Sequence, residues 1–192
     1  MQVNTIDLSN PLVDKARIFA LAAHSGDRSH GPTGQKRKYS DEPYIVHPMH
    51  VCAILQTISP ISTVPVTVEM MMAALLHDVV EDTGITIGLI EQEFGAEVAR
   101  LVSGLTDVSR PEDGNRKFRK DLDLKHTAEQ EADVKTVKLA DMISNAGSII
   151  EHDPGFAIRW MQEKANLLEV LTEGDATLYA EATKILQKWR SR

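Results

Sequence analysis

The 192 residues contain a single cysteine, Cys52. That excludes a disulfide framework and a thiolate-built zinc knuckle, which need several cysteines at set spacings. No apolar run approaches the roughly 20 residues of a membrane span. Residues 1–10 carry neither a basic stretch nor an apolar core of the kind that marks a signal peptide. The chain is therefore expected to be soluble and cytoplasmic, with no membrane partner. Positive charge is also short, the formal net charge being −7. A nonspecific nucleic-acid binder needs a net basic face, so none is expected. A small phosphorylated ligand needs only a local basic pocket and stays open.

Aromatic residues make up only 5%, while 42% of the chain is hydrophobic, mostly Ala, Leu, Ile, Val and Met. Helix-on-helix packing in a single domain, 1–192, is expected from that length and composition. Apolar positions at helical spacing predict helices over about 11–23, 48–58, 67–80, 86–94, 96–105, 116–131, 132–150, 154–171 and 175–189. Between the first two lies a polar loop, about 26–43, with a basic run at Lys36-Arg37-Lys38. A loop of that length in a compact domain is either used or a solvated connection. No run of alternating residues reads as a strand, and the fold class is all-α.

The helix expected over 67–80 opens with Met70-Met71-Met72-Ala73-Ala74-Leu75-Leu76 and then turns to His77-Asp78-Val79-Val80-Glu81-Asp82. Residues four apart share a helix face, pairing His77 with Glu81 and Asp78 with Asp82. An imidazole and three carboxylates thus fall on one patch of an apolar segment, where unpartnered charge is costly. A solvated acidic helix end is the alternative, and the helix dipole disfavours carboxylates there.

The segment 134–150 repeats the anomaly. Lys138, Asp141, Asn145 and Ser148 form a polar line through Val134, Val137, Leu139, Ala140, Ile143, Ala146, Ile149 and Ile150. Such a line either pairs internally, Lys138 with Asp141, or borders a cavity. Together His47, His77, Asp78 and Asp141 are two imidazoles and two carboxylates, a donor set suited to a divalent first-row metal. Manganese or iron(II) fits it better than magnesium, which prefers all-oxygen shells. Glu81 and Asp82, one turn beyond, are placed to position or deprotonate a water.

Three segments carry a resemblance. They are Tyr44-Ile45-Val46-His47-Pro48, then Ala74 through Thr83 around His77-Asp78 and Glu81-Asp82, then Val137-Lys138-Leu139-Ala140-Asp141 with Asn145. In this order they resemble the HD superfamily of metal-dependent phosphohydrolases. More closely, they resemble the hydrolase domain of the RelA/SpoT homologues, over about 19–148. The chain is too short for the synthetase and regulatory domains of the long members, and so resembles the small alarmone hydrolases. The resemblance implies a compact multi-helix HD fold and manganese-dependent removal of the 3′-pyrophosphate from (p)ppGpp, a guanosine polyphosphate. It implies that His47, His77, Asp78 and Asp141 hold Mn2+ and that Glu81 and Asp82 activate water. Arg37 and Lys38 match the family's basic pair beside the guanine, and Asn145 and Ser148 match positions facing the nucleoside. Tyr44 and Lys138 are read with them as substrate contacts.

The chain departs from the family in two places. Arg37-Lys38-Tyr39-Ser40-Asp41-Glu42-Pro43-Tyr44 has one residue more than the family's Arg-Lys-Ser-Gly-Glu-Pro-Tyr and lacks its glycine. Met142-Ile143-Ser144 replaces Arg-Leu-His between Asp141 and Asn145. The stretch 30–34 reads as a local insertion. His50 reads as either a partner behind the ligands or a packed or surface histidine, and His24, His30, His126 and His152 as loop or helix-surface residues. Arg119 and Lys120 are phosphate contacts or a solvated face. Two other functions remain: an HD phosphohydrolase on another nucleotide, such as NADPH or a nucleoside monophosphate, and a silent alarmone-binding sensor. The sequence leaves the oligomeric state open.

Overall fold

Side-chain caps set where several helices begin. Thr67 accepts the Met70 amide, Thr86 that of Leu89, Asn115 that of Phe118, Asp153 that of Phe156 and Asp175 that of Leu178. The computed structural model describes residues 2, 3, 5–26 and 34–191. Within them run α1 (Pro11–Gly26), α2 (Val46–Ile58), α3 (Val68–Leu76), α4 (Val79–Asp82), α5 (Ile87–Phe94) and α6 (Ala96–Leu105). They continue with α7 (Arg116–Ala128), α8 (Ala132–His152), α9 (Pro154–Val170) and α10 (Ala176–Arg190). Among the described residues there is no strand, only an isolated antiparallel bridge between Lys36 and Pro43. The all-α expectation holds. No helix of the described residues is long and apolar enough to cross a membrane.

The core is built around α3 and α8. Helix α3 packs on α1, α2, α6 and α8, and α8 packs on α2, α3, α6, α9 and α10. Both bury residues on most sides, among them Met70, Met72, Ala73, Ala74, Leu75 and Leu76 on α3 and Val134, Val137, Leu139, Ala140, Met142 and Ala146 on α8. A polar side chain carried by either helix is therefore held by the core rather than by a loop.

One expected helix is two. The segment 67–80 breaks at His77-Asp78 into α3 and α4. The Ala74 carbonyl, which the Asp78 amide takes in a straight helix, accepts the His77 Nδ1–H at 2.8 Å. Neighbours in a straight helix point about 100° apart; the break lets His77 and Asp78 reach the same point.

Most of the expected insertion, His30 to Thr33, lies outside the described residues. Its last residue, Gly34, has φ +73°, and a Cβ there would lie 2.6 Å from the Ser25 Cα. Only glycine fits so close to the end of α1. In the loop that follows, Asp41 has φ +57°.

Candidate active site

Helices α2 and α8 and the α3–α4 break bring His47, His77, Asp78 and Asp141 together. The ligand atoms of His47, His77 and Asp78 all lie within 4.8 Å of one another. Asp141 Oδ1 completes the group, 3.1 Å from His47 Nε2 and 3.7 Å from His77 Nε2. His77 Nε2 is 3.0 Å from Asp78 Oδ2, and His47 Nε2 is 3.7 Å from it.

The second nitrogen of His77, held by the Ala74 carbonyl, leaves Nε2 turned to the cluster. That atom is buried and has no hydrogen-bond partner. Among the described residues no lysine or arginine lies within ion-pair distance of Asp78 or Asp141. Two imidazoles, two carboxylates and one orphaned lone pair fit a divalent cation.

Burial pushes Asp78 and Asp141 up, but the facing imidazoles prevail and hold both below the usual carboxylate range. Burial pushes His77 down, and Asp78 and Asp141 outweigh it, taking the imidazole up to about 9. The Tyr44 hydroxyl donates to Asp78 Oδ2 at 2.5 Å. Its own ionisation is driven far up by burial and by Asp78 and Asp82, so it remains a donor. Asn145 Nδ2 donates to Asp141 Oδ1 at 2.8 Å.

The cluster opens into a cleft of about 210 Å³ whose walls include Tyr44, Glu81, Asp107, Lys138 and Lys164. Glu81 is exposed at its rim, yet its Oε1 accepts the Asp107 N–H at 2.5 Å. Withdrawal of the carboxyl from water, then the Asp107 carboxylate, pushes Glu81 up to about 7, with Lys138 pulling the other way. Lys138 Nζ donates to the Leu105 carbonyl at 2.9 Å and lies 3.8 Å from Asp107 Oδ1. Burial opposes its charge, but Asp107, Asp141 and Glu81 keep it a cation.

Comparison with known proteins places this arrangement. A family model described as HD domain matches residues 16–166. The chain belongs to the HD domain family. This HD domain is 36% identical over 146 residues to a Danio rerio protein named guanosine-3′,5′-bis(diphosphate) 3′-pyrophosphohydrolase MESH1, an alignment covering 76% of the chain and 73% of that protein. It is 32% identical over 142 residues to a Brucella ovis GTP pyrophosphokinase rsh, covering 72% of the chain and 17% of the relative. A solved structure described as a metazoan ortholog of SpoT that hydrolyzes ppGpp superposes with a TM-score of 0.78. The two are 25% identical, with 95% of this chain and 97% of that one covered.

Two further cavities of the HD domain adjoin the cleft. One, of about 320 Å³, is lined by Arg37, Lys38, Tyr39, Tyr44, Asn145, Ser148, Ile149 and Phe156, and so gathers five of the six side chains read as substrate contacts. The sixth, Lys138, stands in the cleft. The other cavity, about 580 Å³, has Glu81 and Asp107 on one side and Arg110, Arg116, Arg119 and Lys120 around it. Lys38 is partly engaged already, 3.2 Å from Asp153 Oδ2, which also accepts the Tyr39 hydroxyl at 2.8 Å.

Asp82 does not line the cleft beside Glu81. Its Oδ2 accepts the Gln35 Nε2–H at 2.7 Å, and Gln35 Oε1 is 2.7 Å from His24 Nδ1. His24, expected on a surface, is 1% exposed; Gln35 and the Tyr44 ring, 4.7 Å away between centroids, cover it. Gln35 and Ser144 were not singled out in the sequence. Their contacts cross between elements 47 and 97 residues apart, where no spacing rule reaches.

Proposed function

We propose that this chain hydrolyses the 3′-diphosphate of (p)ppGpp, releasing GDP or GTP and pyrophosphate, with Mn2+ as its cation. The observation that carries the reading is the order of the three cavities. The cavity of Arg37, Tyr44, Asn145 and Ser148 shares Tyr44 and Asn145 with the metal-ligand cleft. The cleft shares Glu81, Asp107 and Lys120 with the basic cavity. A nucleoside in the first and a diphosphate in the last leave the scissile phosphate ester beside His47, His77, Asp78 and Asp141. The names of the relatives above support the same substrate class.

Those four side chains would hold a divalent cation, which would supply Lewis acidity toward a phosphoryl oxygen and toward water. The remaining chemistry belongs to the chain. Glu81, with its raised pKa, is poised to accept a proton from a water near neutral pH. Tyr44 fixes the orientation of Asp78, and Asn145 that of Asp141. Lys120 and Lys138, with Arg116 and Arg119, offset the charge growing on the departing diphosphate. In this reading Asp82 positions the wall formed by Gln35 and His24. The reaction needs no nucleic-acid or membrane partner, and we place it in the cytoplasm.

The test is pyrophosphate release from ppGpp by metal-stripped protein, with and without Mn2+, against GTP and NADPH. Manganese-dependent release from ppGpp alone is the expected result. Phosphate or pyrophosphate release from a control and not from ppGpp, both products being measured, would move the substrate, and binding of ppGpp without turnover of any would make the chain a sensor.

A further inference from the structure

The two metal-facing histidines are held from behind in different ways. His77 Nδ1 is locked by a backbone carbonyl, at Ala74. His47 has no such lock. Its Nδ1 lies 3.0 Å from the hydroxyl of Ser144, on α8, and the same Oγ lies 2.9 Å from Nδ1 of His50. Ser144 is buried, and among the described residues these imidazoles are its only side-chain hydrogen-bond partners. His50 follows His47 by three on α2, which puts both rings on one face toward α8.

A hydroxyl has one proton to give and lone pairs to accept with. For His47 Nε2 to offer its lone pair to a cation, the neutral ring must carry its proton on Nδ1, and that proton goes to Ser144 Oγ. The serine proton then has one place to go, His50 Nδ1, which must be the bare nitrogen of that ring. The opposite arrangement, with Ser144 donating to His47 Nδ1, puts a proton on His47 Nε2 and turns a donor toward Asp141. Which arrangement holds depends on whether the hydroxyl has an acceptor other than His47.

We propose that Ser144 and His50 are positioning residues that set the tautomer of His47. The hydrogen bonds run one way, from His47 Nδ1–H to Ser144 Oγ and from Ser144 O–H to His50 Nδ1, and keep His47 Nε2 free for the cation. The inference rests on the metal reading of the cluster. His50 is exposed, and partial withdrawal of its ring from water, with His47 and Arg37 nearby, lowers its pKa from the usual imidazole value.

The experiment measures Mn2+ affinity of the metal-stripped full chain by calorimetry, together with imidazole 15N shifts of the metal-free protein. Ser144→Ala and His50→Leu are expected to weaken Mn2+ binding about 10- to 100-fold, the range for residues that orient a metal-binding histidine. His50→Asn keeps an acceptor at the place of Nδ1 and Ser144→Thr keeps the hydroxyl, so both should bind near the wild-type value. In His50→Leu the His47 proton should move from Nδ1 to Nε2. Should Ser144→Ala fail to fold, the comparison of His50→Leu with His50→Asn carries the test alone. Wild-type protein that binds Mn2+, with His50→Leu unchanged in affinity and tautomer, would overturn the relay and leave the metal site standing. Wild-type protein that binds no Mn2+ would overturn both.

Discussion

Glu81 Oε1 accepts the backbone N–H of Asp107 at 2.5 Å, tying α4 to the loop after α6. The bond aims one carboxylate oxygen and leaves the other to the cleft. Together with the pKa near 7, it sets up a base whose charge changes around neutrality.

The pH profile follows from that value. Glu81 accepts a proton only when ionised, so kcat/KM should fall as pH drops through about 7 and level off above it. Glu81→Gln should lower kcat roughly 100- to 10,000-fold, the usual contribution of a general base, and leave Mn2+ affinity intact. A fully active variant would remove Glu81 from the proton step.

Metal binding should be visible as stability. At free Mn2+ about a hundredfold above Kd, binding to the folded state alone adds about 2.7 kcal/mol. Asp78→Ala and Asp141→Ala should abolish that gain in a thermal or urea titration, and chelation should abolish it in the wild type. If either variant kept the manganese-dependent shift, the ligand set would be wrong.

Asp82 and Gln35 should behave as one unit. Asp82→Ala and Gln35→Ala each remove the 2.7 Å bond that holds the segment 34–44 beside the cleft. The double variant should lose little more activity than either single one, because the partners share one interaction. Additive losses would mean that Asp82 acts on the substrate side, apart from Gln35.

Asp175 carries a structural prediction. It is fully buried and accepts from Ser62, from the amide and hydroxyl of Thr63 and from the Leu178 amide, joining the α2–α3 connection to α10. Asp175→Ala should cost about 2–4 kcal/mol in urea unfolding through several orphaned donors and a lost cap. Burial pushes its carboxyl up, but the Leu178 and Thr63 amides and the hydroxyls prevail and hold it below the usual range. A depressed carboxyl stabilises above the unfolded pKa near 4, and the contribution is lost as pH falls through the lower native value. The variant should therefore converge with the wild type in strong acid.

Much of this was legible in the chain. Most helix ends fall within a few residues of those expected, because they are set by local features, such as the caps at Thr86 and Asn115. The cluster of His47, His77, Asp78 and Asp141 was legible as residues, since two buried helices each carried polar side chains that a core does not keep without a partner. The break between α3 and α4 was not, because a segment apolar on most sides has the same periodicity straight or bent. His24 was misplaced for a related reason. Its burial depends on Gln35 and Tyr44, brought in by a loop whose path no periodicity records. His50, read as a partner behind the ligands or as a packed or surface histidine, is exposed, and its Nδ1 lies 2.9 Å from Ser144 Oγ on another helix, a contact no spacing rule on α2 records.

The His-Asp cluster and the cavity walls share only part of their scaffold, Asn145 and Ser148 of α8 lining one cavity and Glu81 of α4 the other. His47, His77 and Asp141 sit on helices whose other residues form the core, so most changes near them are tested first as folding defects. Most of the other side chains of the flanking cavities come from the 34–44 loop, the 106–110 loop, the start of α9 and α7. Exposed rim residues such as Lys38 and Arg110 can therefore be exchanged with less penalty to the fold than the four side chains of the cluster.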